Sequence, residues 1–167
     1  ALYALTSGEK NLAVGALAAD AVTIGRYNTA VGYEALDTDD IGDSSTAIGF
    51  QSLRLQDSNS DNETTGNTGC GVQTGYFNEE GQNNTWIGFR AGQGVTGNDN
   101  SSNTGVGYNA LLGITTGDDN TAVGKSAGEQ VLSGEDNTLV GYNAGDGIQT
   151  GSNNVCVGHS TDASAEN

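Results

Sequence analysis

The chain has 167 residues, 27 of them glycine and none proline or methionine, and its 21 acidic against 5 basic residues give a formal charge of −16. Nucleic-acid binding needs a basic stripe that displaces counterions. Lys10, Arg26, Arg54, Arg90 and Lys125 are scattered, which excludes that function, and the acidity excludes binding to an anionic membrane surface.

No run approaches the ~18 apolar residues of a transmembrane helix, and no signal peptide is visible. The missing initiator Met suggests a processed or excised chain. Low apolar content with high net charge would ordinarily suggest disorder, but the apolar residues here keep a fixed register. Acidity of this kind fits solubility in a secreted or salty setting.

The first segment, ALYALTSGEKN over 1–11, matches ALLGITTGDDN over 110–120 at equal length, so the chain opens in the middle of a repeat. Nine units then begin at Asn11, Asn28, Ser45, Asn67, Asn84, Asn103, Asn120, Asn137 and Asn154, mostly 17 residues apart. Counting each start as position zero, position three is Val14, Val31, Ile48, Cys70, Ile87, Val106, Val123, Val140 and Val157, and position four is glycine in every unit. Position five is aromatic in many: Tyr33, Phe50, Phe89, Tyr108 and Tyr142, with Val72 between. A further apolar residue recurs near position eleven: Val22, Val95, Ile114, Val131 and Ile148. The register is interrupted by two insertions, within 51–66 and within 91–102, and the chain closes on Asn167, a candidate start of another unit.

Internal periodicity outranks other signals. N-T-A-V-G alternates with period two, as a strand does, and no apolar stripe has helical spacing. T-G-D-D, S-G-E-D and T-G-S-N are turn chemistry. Each unit therefore predicts two short strands and two turns. Together the units predict an all-β chain: one repeat domain over 1–167, a parallel β-solenoid (β-roll) of about nine 17-residue rungs. Like strands would stack ~4.8 Å apart in a rod on the order of 40 Å long. On this alternation the position-three Val/Ile column is the dry interior, and the Thr29–Thr138 column shares that face. The asparagines read as an amide ladder between rungs, with a ligand-binding row as the alternative. So thin a core buries little per residue, and lateral association would add burial. The aromatic column Tyr33, Phe50, Phe89, Tyr108 and Tyr142 is the expected inter-chain seam, because an exposed row of that length is an aggregation hazard.

The stretches NTAVGYEAL (28–36), NTGVGYNAL (103–111) and NTLVGYNAG (137–145) resemble repeats of bacteriophage tail-fibre proteins. More loosely, they are similar to the head repeats of trimeric autotransporter adhesins. The resemblance covers nearly the whole chain. It implies a homotrimeric parallel β-roll in a surface-exposed fibre, located extracellularly, on a cell surface or on a virion. The adhesin repeats are generally shorter, and no coiled-coil stalk or membrane anchor is visible here.

Few residues suggest site chemistry. Cys70 and Cys156 lie five rungs apart, about 24 Å at the strand spacing, too far for a disulfide. Cys70 replaces a core Val and reads as a small buried hydrophobe; Cys156 faces the other way, where it could bond between chains. Asp118, Asp119, Glu135 and Asp136 fall in adjacent turns. They are the calcium candidates, against the alternative of a solvated acidic edge. Asp57, Asp61 and Glu63 make the longer insertion acidic, either a surface bulge or a docking loop. His159, the sole histidine, continues the aromatic column and supplies no triad. No catalytic or cofactor residues are assigned, and an enzyme is not expected.

The sequence thus predicts a structural and adhesive fibre module. Its partners would be copies of itself and a host-surface or glycan receptor, with no nucleic acid and no membrane insertion. The alternatives are a subunit polymerising end to end into a filament and a calcium-, glycan- or ice-binding solenoid. An interior Thr column counts against ice.

Overall fold

A computed structural model describes residues 1–60 and 64–163. Asp61, Glu63 and the closing Asn167 lie outside the described residues. Nine three-residue strands follow in chain order: β1 (Leu12–Val14), β2 (Thr29–Val31), β3 (Thr46–Ile48), β4 (Thr68–Cys70), β5 (Thr85–Ile87), β6 (Thr104–Val106), β7 (Thr121–Val123), β8 (Thr138–Val140) and β9 (Val155–Val157). They form one sheet in sequence order. Every neighbouring pair is parallel and in repeat register, with Thr29 opposite Thr46 and Val123 opposite Val140. No helix occurs among the described residues. The chain is a β-solenoid, and the insertions leave its register intact: Ile48 still pairs with Cys70, and Ile87 with Val106.

Each described rung contains one strand, not the two expected from the sequence. The second apolar position sits on a corner instead. Corners are tight because the backbone turns left-handed at positions six, eight and sixteen, for example at Glu34 (φ 52), Leu36 (φ 51) and Ser44 (φ 67). A left-handed non-glycine residue costs roughly 1–2 kcal/mol, so bonding between rungs must hold these bends. The glycine at position four has a separate cause. A Cβ on Gly49 would lie 2.1 Å from the carbonyl oxygen of Gly71, one rung along.

The asparagine column supplies much of that bonding. Asn28 accepts the Ser45 backbone N–H on Oδ1 (2.8 Å) and donates Nδ2 to the Gly42 carbonyl at the end of its own rung (2.7 Å). The same two bonds recur at Asn67 (2.8 and 2.6 Å) and at Asn103 (2.9 and 2.9 Å). One side chain thus closes its own coil and ties it to the next. Ser45 breaks the column, and Gln56 compensates: its amide contacts the Ser45 hydroxyl, and its Oε1 accepts from Asn67 Nδ2 at 3.0 Å.

The interior is the reverse of the alternation expected from the sequence. Position two points inward: Ala30, Ala47, Trp86, Ala122, Leu139 and Cys156 are buried. The position-three column is outward, with Val14 54%, Ile48 41% and Val157 63% exposed. Cys70 is therefore exposed and Cys156 buried, each opposite to expectation. Val95 is also outward, whereas Val22, Ile114, Val131 and Ile148 fill the corner.

The cause is volume. Each coil is too narrow for two large side chains at positions two and eight. Small residues at position two face Leu36, Leu53 and Leu111, while Trp86 and Leu139 face Gly92 and Gly145. A Cβ on Gly92 would meet the Trp86 indole at 2.2 Å, and one on Gly145 would meet Leu139 at 2.5 Å.

This complementarity is testable by thermal melting. Gly145→Ala should cost about 1–3 kcal/mol by overpacking, and Gly145→Leu more. Adding Leu139→Gly to Gly145→Leu, which recreates the Gly105–Leu111 arrangement, should recover most of the loss. Additive effects of the two substitutions would refute the pairing.

Candidate functional site

All nine described strands run the same way, so the outward face has a chain-entry edge and a chain-exit edge. Position sixteen lies on the entry edge. Across the face come the position-one column (Leu12, Thr29, Thr46, Thr68, Thr85, Thr104, Thr121, Thr138, Val155), then the Val/Ile column, then the glycines. The aromatic column forms the exit edge. Thr121 and Thr138 are exposed and Thr29, Thr46, Thr68, Thr85 and Thr104 half-buried, so the threonines share the face of the valines, as expected, but that face is outside.

The aromatic column is a stack. Tyr33 and Phe50 lie 5.6 Å apart and 13° from parallel, and Phe89 and Tyr108 lie 5.2 Å apart at 11°. Tyr142 stacks on His159 at 4.9 Å. Lys125 occupies the column between Tyr108 and Tyr142, its ammonium 5.8 and 5.4 Å from the two ring centroids. The Arg90 guanidinium lies 5.1 Å from the Phe89 centroid. With ring faces against their neighbours, these rings present their edges to solvent. That arrangement makes an apolar ridge and leaves little ring face for stacking against a sugar. The sequence had shown Lys125 at position five, but an aromatic count passes over it.

A polar network flanks the ridge. Gln51 Nε2 donates to Glu34 Oε2 at 2.7 Å, and Arg54 Nε lies 2.7 Å from the same oxygen and 3.6 Å from Asp37 Oδ2. The Gln51 hydrogen bond, with help from Tyr33 and Arg54, lowers the Glu34 carboxyl below its ordinary range against the opposing effect of burial. Burial pushes Asp37 up against the pull of Arg54, and the Glu34 hydrogen bond pushes the Tyr33 hydroxyl up.

The calcium candidates sit on the entry edge. Asp118 accepts the Ser101 N–H on Oδ1 at 2.7 Å, and Ser152 Oγ plays the same part for the Glu135 N–H at 3.0 Å. Asp119, Glu135 and Asp136 are exposed. Among the described residues, no group of three acidic, His or Cys side chains is placed to hold a metal ion.

The longer insertion is anchored by polar residues that the sequence did not single out. Asp39, Gln56 and Asn78 take the corner position that is apolar elsewhere, and all three are fully buried. Gln56 Nε2 bonds to Asp39 Oδ2, and Thr65 Oγ1 bonds to the Asp43 carbonyl at 2.9 Å. The Asp57 carboxyl, on an exposed residue, is pushed up by partial desolvation and by the neighbouring Asp40, Asp39, Glu79 and Glu80 carboxylates.

The ridge network predicts a pH dependence. A carboxyl lowered on folding stabilises the chain above its unfolded value, about 4.3 for Glu. That contribution is lost as pH falls through the lower folded value. Asp37, raised on folding, acts in the opposite sense. Denaturation across the acid range should therefore show a shallower loss of stability in Glu34→Gln than in the unmodified chain. Parallel curves would show that Glu34 makes no such contribution.

No protein-family model matches this chain, and neither a curated protein nor a solved structure matches it.

Proposed function

We propose that the chain is a structural and adhesive module of an extracellular or virion fibre, whose copies associate through the outward Thr, Val and aromatic face. The observation that carries this reading is an apolar face on both sides of one parallel sheet. Parallel sheets are normally covered on both faces. Here the chain's own turns cover one, while the other leaves Val14, Ile48, Phe50, Ile87, Tyr108, Tyr142 and Val157 41–63% exposed. Contiguous exposed apolar area of this extent marks an interaction surface. The phage-fibre resemblance of the N-T-x-V-G-Y phrase supports the setting and a trimer. A receptor, whether protein or glycan, would meet the corners and insertions that remain outside the seam.

A second reading follows from the outward threonines. Alternating Thr and Val/Ile in register on a parallel sheet make a regular array of hydroxyl and methyl groups, the kind that orders water at an ice surface. A thermal hysteresis gap lost in Thr104→Tyr with Thr121→Tyr would favour it; no gap would dismiss it.

The fibre reading is tested by sedimentation velocity over a concentration series. The expected outcome is a discrete oligomer that dissociates at least tenfold more readily in Tyr108→Ser with Tyr142→Ser, with the solenoid's circular dichroism unchanged. A monomer at every concentration would overturn the reading. An unlimited polymer would point instead to end-to-end assembly.

A further inference from the structure

Over β5 to β8 the two edges of the outward face differ in charge, and the difference is placed by rung; the cations of the entry edge, Lys10 and Arg26, precede β1 and β2. On the entry edge, Asp118 and Asp119 lead into β7, and Glu135 and Asp136 lead into β8. On the exit edge, Arg90 follows β5 and Lys125 follows β7, both exposed. Neither cation forms an ion pair within 4 Å among the described residues, unlike Arg26 and Arg54. Both are held over the aromatic ridge instead.

Resting on the self-association reading, we infer that copies pack with their strands stacked in the same direction and in register, the Lys125 edge of one against the Asp119–Asp136 edge of the next. The symmetry of two facing sheets decides which edges meet. A rotation about an axis along the rod keeps the rods parallel and brings the exit edge of one copy to the entry edge of its neighbour. A two-fold axis across the rod makes them antiparallel and brings like edges together. In the antiparallel case β5 faces β5, so Arg90 meets Arg90, and Lys125 at β7 meets the Phe50 and Gln51 side of β3. In the parallel case with no axial shift, Lys125 meets Asp119 in its own rung and Asp136 one rung on. The opposing charges come within a few ångströms at an interface edge, where charge complementarity fixes partner orientation and register. For a chain of charge −16, this arrangement also offsets part of the repulsion between copies.

The test uses the full chain and three variants: Lys125→Glu, Asp119→Lys with Asp136→Lys, and all three substitutions together. The replaced side chains are exposed, and circular dichroism checks that each variant folds. Association is measured by sedimentation at low and high salt. Each charge reversal alone should raise the dissociation constant at least tenfold at low salt and less at high salt. The triple variant should return to within about threefold of the unmodified chain, because in a parallel assembly every altered contact again joins opposite charges, now a carboxylate against two cations. An unmodified chain that stays monomeric would overturn the self-association reading, and this inference with it. An unmodified chain that assembles while the triple variant stays weak would overturn the orientation alone, as would single reversals without effect.

Discussion

The bond that everything else depends on is the double hydrogen bond of the buried asparagine. Each rung turns left-handed at several non-glycine corners, a conformation an isolated coil would not hold. The asparagine Nδ2 ties the start of a coil to a carbonyl near its end, and Oδ1 takes the first N–H of the next coil. An amide is the side chain suited to both tasks at once, since it carries a donor and an acceptor on one planar group. The exception at Ser45 makes the same point. The hydroxyl cannot reach both partners, and Gln56 supplies a second amide from the corner. The rung that lost its asparagine also carries the longer insertion. Polar residues have replaced the apolar corner there, and the buried Asp39, Gln56 and Thr65 knit the displaced chain back into register.

Closing the coil this tightly sets its width, and the width sets what the strand can turn inward. Only one large side chain fits per level. The rungs satisfy this in three ways: a small residue on the strand with leucine at the corner, as at Ala30 and Leu36; a large residue on the strand with glycine at the corner, as at Trp86 and Gly92; or small residues at both, as at Ala122 and Gly128, where Leu111 and Leu139 of the adjacent rungs fill the space. Valine and isoleucine on the strand are then left to the outer face. The outward apolar surface is thus a consequence of the narrow coil as well as a feature of the sequence.

The repeat, the absence of helix, the parallel register and the amide ladder were legible because each depends on spacing alone. The inner face was not, because Thr-Ala-Val-Gly offers two alternating sets and hydrophobicity favours the wrong one. The deciding signal lay in positions two and eight together: Ala30, Ala47 and Gly105 accompany Leu36, Leu53 and Leu111, and Trp86 and Leu139 accompany Gly92 and Gly145, so none of these rungs holds two large residues at the two positions. Reading Trp86 against Gly92 and Leu139 against Gly145 would have placed Ala30 and Ala122 inside. Cys70 and Cys156 exchanged roles for the same reason, a shift of one position in the parity. The second expected strand failed because Val22 and Ile114 turn inward from a corner, and one apolar residue cannot distinguish a corner from a strand. Of the candidate site, the aromatic column was visible; Lys125 within it and the buried Asp39–Gln56 network were not, since both require knowing which residues stack.

A solenoid differs from a globular fold in how its two surfaces grow. Each added rung contributes the same increment of inner core and the same increment of bare outer face, so lengthening never covers the outer strip. A globular chain covers such a strip by folding another element across it. Here the corners are short and the turns are already committed to rung closure, so the described elements leave nothing to cross the face. Covering must come from a surface with the same axial repeat of ~4.8 Å, or the match fails after a few rungs. A second copy of the chain has that repeat by construction, and its edge charges have a direction along the rod. The constraint that makes the coil rigid therefore also narrows what can lie against it.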